Sequence, residues 1–302
     1  MSKPFFLTKQ HSFDEKINNM LRIAIQAKGR LYEETMALLT EANIKVDSSR
    51  RTLLLPARNY PVEILFLRDD DIPQAVAGGV ADAGIVGENE YVERREEVQI
   101  VQKLGFSRCR LSLAIPRDMD YPGLSWFQGK KIATSYPGIL KDYLQANKIE
   151  SEIHVISGSV EVAPGIGLAD AIFDIVSSGG TLVSNRLKEV EVVMQSEALL
   201  ICNPRLCEEK RALLDDLAFR FNAVRQAEGK KYIILNIHNS KIPDVCRLLP
   251  GMKAPTVTPL TEEGWSSVHS VIEEKRFWEI IGKLKAIGAE GILVVPIEKM
   301  IL

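Results

Sequence analysis

Apolar and polar positions along this chain repeat with two different periods. Short runs rich in Ile, Leu and Val, such as "LRIAIQ" (21–26) and "VEILFL" (62–67), have the length and composition of strands. Between them, "RLYEETMALLTEAN" (30–43) spaces its apolar residues as an amphipathic helix does. Because strand and helix signals alternate through the first two thirds of the chain, the pattern favours an α/β fold with largely parallel sheets.

The same pattern predicts the remaining elements of that part of the chain. Asp71 stands at the start of one predicted helix, where we expect it to be the N-cap. The apolar run at 189–203 fits either one long strand or two short ones. Further strands are predicted at 83–87, 109–116, 130–136, 151–157 and 189–203, and further helices at 71–79 and 138–148.

Two stretches of the chain resemble each other. "GGVADAGIVGEN" (78–89) and "GIGLADAIFDIVSSGG" (165–180) both contain Ala-Asp-Ala, then apolar residues, then a loop of small residues. This likeness is too short to establish a sequence repeat. It predicts two lobes built alike, each of which sends one loop towards a shared cleft, since ligands of open α/β sheets bind beyond the carboxyl ends of strands.

The pattern changes after a long predicted helix at 203–231. The following order, βαββαβ, is that of a ferredoxin-like domain. Its strands are predicted at 232–240, 255–260, 265–273 and 291–300, and its helices at 241–251 and 275–289. The chain is therefore expected to divide into an N-terminal extension (1–20), a bilobal core (21–228) and a C-terminal domain (229–302). Within the core, lobe one is expected at about 21–115 plus 189–206, lobe two at about 116–188, and a linking helix at about 207–228.

Composition narrows the class of protein. The chain has 302 residues, 46% of them hydrophobic, and a net charge of −2. A near-neutral balance argues against a nucleic-acid partner, and no stretch approaches the ~20 apolar residues that cross a membrane. The first twenty residues contain no apolar core like that of a signal peptide. The four cysteines lack the close paired spacing of a zinc site, so we expect reduced thiols and a cytoplasmic protein.

The loop "SSGGT" (177–181) is a candidate phosphate site. Its glycines and hydroxyl residues allow several backbone N–H groups to point at one phosphate. Asp170 and Asp174 precede it four residues apart and suit the hydroxyls of a sugar, because ionised carboxylates accept hydrogen bonds. Together these residues are typical of a phosphoribosyl site. The residues alone leave open a plain turn beside capping and surface aspartates.

Basic residues follow the first strands. Lys28 and Arg30 come directly after the strand at 21–26, and Arg51 and Arg68 are further basic residues in this part of the chain. Such cations are poorly placed for a helix N-terminus unless an anion lies there, and together they suit a pyrophosphate with its magnesium ion. Exposed loops carry the same residues, so this reading is not unique. The three acids at 69–71 are equally consistent with a helix start and with metal ligands.

The stretch "IATSYPGILKDYL" (132–144) predicts a strand, a short loop and a helix that begins at Pro137. Thr134, Ser135 and Tyr136 in that loop are candidates to accept a phosphate or to stack on a base. Ordinary capping by Ser135 accounts for the pattern equally well.

Considered together, these stretches resemble the ATP phosphoribosyltransferase family in its long, self-regulated form, from about residue 21 to residue 302. The motifs that carry the resemblance are "KGRL" (28–31), "RDDDIP" (68–73), "ADAGIVGEN" (81–89), "CRLSLA" (109–114), "KKIATSYP" (130–137), "GSVEVAPGIGLADAIFDIVSSGGTL" (158–182), "LLPGMKAPTVTPL" (248–260) and "ILVVPIEKM" (292–300).

The resemblance implies a fold, an activity and partners. The core would be a bilobal α/β structure like that of periplasmic binding proteins, followed by an ACT-like C-terminal domain. The enzyme would transfer the phosphoribosyl group of phosphoribosyl pyrophosphate to N1 of ATP with Mg²⁺, be inhibited by histidine, and assemble from dimers into hexamers. The rival hypothesis is a non-catalytic small-molecule sensor of the same bilobal architecture.

The resemblance also implies roles for particular residues. The catalytic residues would be Arg30, Arg51, Glu161 and Asp170. Phosphoribosyl pyrophosphate would be bound by Lys28, Asp174, Ser177, Ser178, Gly179, Gly180 and Thr181, and ATP by Arg110, Ser135 and Tyr136. Histidine would be bound by Pro250, Gly251, Pro255, Thr256 and Val257, whose loops offer polar backbone to an amino acid. Magnesium would be carried mainly by the substrate, with its protein ligands undetermined.

Overall fold

A computed structural model describes residues 20–47 and 52–302. The chain forms two compact units, which meet at Ala218 and Phe219 in the sequence. In the described residues the strands are β1 (Leu21–Gln26), β2 (Leu54–Pro56), β3 (Val62–Leu67), β4 (Ala83–Gly87), β5 (Gln99–Lys103), β6 (Cys109–Pro116), β7 (Lys131–Thr134), β8 (Glu152–Val155), β9 (Ala171–Val176), β10 (Leu187–Ser196), β11 (Ala198–Cys202), β12 (Lys230–His238), β13 (Thr256–Pro259), β14 (Trp265–Glu273) and β15 (Glu290–Pro296). The helices are α1 (Arg30–Glu41), α2 (Ile72–Ala77), α3 (Glu88–Arg94), α4 (Pro137–Ala146), α5 (Gly180–Ser184), α6 (Glu208–Ala227), α7 (Ile242–Leu248) and α8 (Glu274–Ala286).

The first sheet has the order β2-β3-β1-β4-β11-β5. Its central strand β1 pairs in parallel with β3 and β4, and the consecutive residues Ile23, Ala24 and Ile25, which point to alternate faces, are fully buried. Burial of a strand on both faces explains its nearly continuous apolar sequence. Because β1, β3 and β4 are parallel, their carboxyl ends lie at one edge of this sheet.

The second sheet has the order β10-β6-β9-β7-β8. Strands β7, β8 and β9 are parallel to one another, whereas β6 is antiparallel to both of its neighbours, β9 and β10. Its core contains Phe127, Ile132, Leu140 and Phe173. The loops that follow β7 and β9 therefore leave the sheet at the same edge.

Each sheet is the core of one lobe, so the predicted bilobal architecture is confirmed, but the predicted lobe boundaries are wrong. Strands β6 and β10, which the sequence left partly in lobe one, both belong to the second sheet. The chain therefore crosses between the lobes at 104–108 and again at Glu197. The apolar run at 189–203 divides there into β10 and β11, because its two halves pair with strands of different sheets.

The second unit has the predicted βαββαβ order. Its antiparallel sheet, β13-β14-β12-β15, packs a core that includes Ile233, Leu235, Val268 and Leu284. This strand order is that of a ferredoxin-like domain.

Some local predictions differ from the structure. The helix predicted at 203–231 begins only at Glu208, since the Asn203 carboxamide accepts a hydrogen bond from the backbone N–H of Arg205 at 2.8 Å in a turn. Asp71 lies in a short 3₁₀ turn and makes no side-chain cap for α2. Within 20–47 and 52–302, no helix is both long and apolar enough to span a membrane.

Candidate functional site

A cavity of about 180 Å³ lies beyond the carboxyl end of β9. The loop of Ser177, Ser178 and Gly179 lines it, together with the carboxylates of Glu161 and Asp174. Gly179 has φ of 80°, a left-handed conformation that glycine adopts freely, and it is the N-cap of the short helix α5. The predicted phosphate loop is thus an exposed turn beside two acids, as a phosphate and a sugar would require.

Asp174 is the acid whose proton affinity the site changes most. Burial, reinforced by the charge of Glu161, raises the pKa of the Asp174 carboxyl to about 6. An acid that ionises just below neutral pH offers a negative charge to a ligand without strong solvation by water. The structure therefore brings Asp174 and Glu161 together in one cavity with the loop, whereas the acids predicted from their spacing were Asp170 and Asp174.

Asp170 is not among the residues that line this cavity, so the structure does not place it beside Asp174 and the loop. Its carboxylate accepts a hydrogen bond from the backbone N–H of Lys131 at 2.9 Å, where β7 begins. Because β9 separates Asp170 from Ser177, the two lie about 23 Å apart at ~3.3 Å per strand residue. Asp170 therefore connects the amino ends of β7 and β9 by a hydrogen bond, at the edge of the sheet opposite to the cavity.

The side chain of Arg110 binds the backbone at the start of the phosphate loop. Its Nε and Nη2 donate to the two carboxylate oxygens of Glu189, each at 2.5 Å, and its Nη1 donates to the carbonyl of Ser177 at 3.1 Å. This ion pair lowers the pKa of Glu189. The guanidinium was predicted to place ATP, but its contacts in the structure hold the first residue of the loop.

The basic residues after β1 lie beside the first chain crossing. Lys28 and Arg30 are exposed, and Arg30 Nη2 donates to the carbonyl of Arg108 at 3.0 Å. Gly29, with φ of 96°, allows the turn between β1 and α1. Arg51, the other predicted cation, lies outside the described residues.

The short segment from Arg108 to Arg110 contacts both the basic residues after β1 and the phosphate loop. Arg30 is held by the carbonyl of Arg108, and Ser177 by the side chain of Arg110. Residues two apart have Cα atoms within about 7 Å of each other. The predicted pyrophosphate end and the predicted 5-phosphate end of the site are therefore anchored on the same stretch of backbone.

Tyr136 is buried rather than available to a base. It is only 6% exposed, and its hydroxyl accepts a hydrogen bond from Asn89 Nδ2 of the first lobe at 3.1 Å. Burial and the nearby Glu90 carboxylate raise the pKa of the Tyr136 phenol. In this arrangement the Tyr136 ring is packed in the protein, so its predicted contact with ATP stays a prediction. Ser135 is only partly buried and donates to the carbonyl of Ile156 at 2.7 Å.

Sequence reasoning missed the polar residues that join the lobes at this point. Asn89 Oδ1 accepts from Ser196 Oγ at 2.9 Å, so α3 contacts the second chain crossing as well as Tyr136. Burial raises the pKa of the neighbouring Glu90 above its usual range. The only sequence signal was a pair of polar residues, Glu88 and Asn89, directly after the buried strand β4.

A second cavity, of about 210 Å³, lies in the second unit. Pro250 and Gly251 line it, as do the charged residues Lys230, Glu273 and Arg276. The other predicted histidine-binding residues, Pro255, Thr256 and Val257, are not among its lining; Thr256 and Val257 lie exposed on the edge strand β13.

The side chains that could act as metal ligands can be compared with the needs of the predicted magnesium ion. In the part of the chain that the structure describes, no group of three or more His, Cys, Asp or Glu side chains could hold a metal ion. Two carboxylates, Glu161 and Asp174, line the first cavity. Such a set fits an ion held mostly by phosphate oxygens and water, which is how Mg²⁺ is commonly bound.

Comparisons with known proteins agree with this geometry. A family model described as ATP phosphoribosyltransferase matches residues 68–223, and one described as HisG, C-terminal domain matches residues 227–299. The ATP phosphoribosyltransferases of Phocaeicola vulgatus and Bacteroides fragilis are 70% and 69% identical over 283 residues, which is 94% of this chain and 100% of each relative. Among solved structures, a chain of the ATP phosphoribosyl transferase (HisG:HisZ) complex from Thermotoga maritima aligns with a TM-score of 0.58 and 27% identity, over 67% of this chain and 96% of that chain.

Proposed function

This chain belongs to the ATP phosphoribosyltransferase family in its long form, and we propose that the cavity beyond β9 is where it performs the transfer. The enzyme is a pentosyltransferase of histidine biosynthesis, which moves the phosphoribosyl group of phosphoribosyl pyrophosphate to N1 of ATP and releases pyrophosphate. The sensor hypothesis is not favoured.

One observation carries the assignment of the site. The loop Ser177–Thr181 offers exposed backbone and hydroxyls next to Glu161 and Asp174, and the segment that holds this loop also holds Arg30. A sugar with phosphates at both ends needs such an arrangement. The 5-phosphate would lie on the loop, the ribose against the carboxylates, and the pyrophosphate towards Lys28 and Arg30.

The chemistry of the reaction explains these residue types. N1 of adenine has a free lone pair at neutral pH, so the enzyme does not need a strong base. The difficult step is the separation of charge when the bond from C1 to pyrophosphate stretches and the sugar becomes oxocarbenium-like. Carboxylates at Asp174 and Glu161 offset the positive charge of the sugar, while the cation at Arg30 takes up charge on the leaving group. Holding ATP and the sugar in line contributes further.

Magnesium fits this site as an ion carried by the pyrophosphate group. When bound it would neutralise part of the charge on the leaving group. Lys28 and Arg30 would contribute to the same neutralisation from the protein. Glu161 and Asp174 are the carboxylates of the cavity that could reach such an ion, each as a single ligand beside phosphate and water.

We also propose that histidine inhibits the enzyme through the second unit, that the chain assembles into dimers and hexamers, and that it acts in the cytoplasm. The cavity at Pro250 and Gly251 supports the first of these proposals, because Glu273 and Arg276 offer both signs of charge to an amino acid. Family membership supports the others.

The direct test of the function is an assay with ATP, phosphoribosyl pyrophosphate and Mg²⁺, in which the absorbance of the N1-linked product is followed. We expect product only when both substrates are present. Binding of one substrate without turnover would instead support the sensor.

Arg30→Ala is expected to lower kcat about a hundredfold, because charge on the leaving pyrophosphate would lose one of its cations. Steady-state rates at saturating substrates measure this effect. The same change at the exposed Arg117 of the second lobe serves as the control and should leave kcat within about twofold. An unchanged kcat for Arg30→Ala would remove this residue from the mechanism.

Gly251→Ala is expected to raise the histidine concentration for half inhibition at least tenfold. Gly251 has φ of 61°, and an added Cβ would lie 3.0 Å from Ser270 Oγ, so the cavity must change shape. Gly288→Ala is a matched control, since Gly288 also has a positive φ, of 94°, but faces open space. Equal effects of the two changes would count against histidine binding at this cavity.

A further inference from the structure

Glu93 of the first lobe caps a helix of the second lobe. Its Oε1 accepts the backbone N–H of Gly138 at 2.8 Å, and its Oε2 accepts that of Ile139 at 2.9 Å. Glu93 belongs to α3, whereas Gly138 and Ile139 form the first turn of α4. One carboxylate therefore makes two charge-assisted hydrogen bonds across the boundary between the lobes.

Helix α4 needs this external cap because its own sequence lacks one. The residue in the N-cap position, Tyr136, makes no side-chain capping bond, and Pro137 has no backbone N–H. The N–H groups of Gly138 and Ile139 are then the first that lack a partner within the helix. A negative charge is also favoured at a helix N-terminus.

Gly138 is fitted to the carboxylate of Glu93. A Cβ at position 138 would lie 3.0 Å from Oε1, 3.2 Å from Oε2 and 3.3 Å from the carboxyl carbon of Glu93. Gly138 is in an ordinary helical conformation, so the backbone does not require glycine there. The close approach of the carboxylate is the physical reason that the structure gives for this residue.

Arg95 strengthens the same contact. Its Nη2 donates to the Gly138 carbonyl at 3.2 Å and to Asp142 Oδ2 at 2.6 Å. Asn89, at the other end of α3, donates to the hydroxyl of Tyr136. Three residues of one short segment in the first lobe thus hold residues 136–142 of the second.

We propose that Glu93 is a positioning residue, which fixes the loop between β7 and α4 against the first lobe and so sets Ser135 at the place where ATP is bound. The inference rests on the proposed function, and the assignment of ATP to this loop is the one that the family resemblance implies for Ser135. Glu93 itself need not touch a substrate. The phosphate loop after β9 does not depend on this contact, so the effect should fall on ATP rather than on phosphoribosyl pyrophosphate.

The test is a double-mutant cycle of Glu93→Ala and Gly138→Ala. We expect each single change to raise KM for ATP at least tenfold and to leave KM for phosphoribosyl pyrophosphate within about twofold. The double variant should be no worse than Glu93→Ala alone, because the added methyl then has no carboxylate to displace. It should also have a higher Tm than Glu93→Ala, since alanine is a better helix former than glycine.

Two further variants complete the experiment. Glu93→Gln keeps one carbonyl acceptor and is expected to restore part of the affinity for ATP. Gly282→Ala is the matched control, because Gly282 is also in a helix but an added Cβ there meets nothing within 4 Å. Effects of Glu93→Ala and Gly138→Ala that simply add, or equal changes in both KM values, would overturn the proposal. A wild-type protein without turnover would instead overturn the proposed function.

Discussion

Asp174→Asn is expected to lower kcat about a thousandfold, which corresponds to ~4 kcal/mol of transition-state stabilisation. The amide has nearly the volume of the carboxylate and still accepts a hydrogen bond. What is lost is the negative charge that faces the sugar as it becomes oxocarbenium-like. Because the Asp174 carboxyl is partly removed from water, as its raised pKa indicates, that charge is screened less than one on the open surface.

The comparison that isolates this effect is Asp170→Asn, measured in the same steady-state assay. Asp170 lies at the other end of β9, and its carboxylate accepts a hydrogen bond from the backbone N–H of Lys131, which an amide oxygen can also accept. Its kcat should stay within about threefold of the wild-type value. Similar losses in the two variants would show that charge at Asp174 is not special to the reaction.

The pH dependence of the same reaction follows from the pKa of Asp174. Since this pKa is raised to about 6, kcat/KM for phosphoribosyl pyrophosphate should fall as the pH drops through 6 and the carboxylate is protonated. Stability should change in the opposite direction. Between the ordinary aspartate pKa and 6 the folded state binds more protons than the unfolded state, so this group's contribution to stability is lost as pH rises through 6. Asp174→Asn should therefore raise Tm more at pH 7.5 than at pH 4.5.

The fold was largely predictable from local pattern. Strands such as β1 and β3 were predicted to the residue, because burial on both faces leaves a continuous apolar run. The boundary between the lobes was not predictable, because the run at 189–203 is largely apolar and does not indicate which sheet each of its halves joins. Pairing of β10 with β6, and of β11 with β4, depends on residues about 70 or more positions away.

The parts of the site that a local motif encodes were predictable from the sequence. The parts that depend on which end of a strand a residue occupies, or on contacts with the other lobe, were not. The loop at 177–181 could be recognised from its own residues. Asp170 and Asp174 seemed equivalent because both lie on one face of a strand, but one is near its amino end and the other near its carboxyl end. The contacts of Tyr136 and Glu93 are with residues of the other lobe, and beyond the polar pair Glu88 and Asn89 after β4 the sequence contains no signal for them.

Gly179→Asp is expected to lower kcat/KM for phosphoribosyl pyrophosphate about a thousandfold, because it brings a negative charge to the loop that binds the 5-phosphate. Two unit charges about 4 Å apart near a protein surface repel each other by roughly 4 kcal/mol. There is room for the side chain, as the nearest atom to an added Cβ is Val176 Cγ1 at 4.0 Å. The left-handed φ of 80° is one that Asp and Asn tolerate better than most residues.

Gly179→Asn is the matched control, with nearly the same shape and backbone preference but no charge. Its loss of kcat/KM reports the strain and crowding alone, and we expect about tenfold. The ratio between the two variants then measures the charge on the ligand at this loop, and it should shrink as salt is added, because exposed charges are screened. If the two variants lost activity equally, no anion would lie against the loop after β9, and the orientation proposed for the sugar phosphate would have to be abandoned.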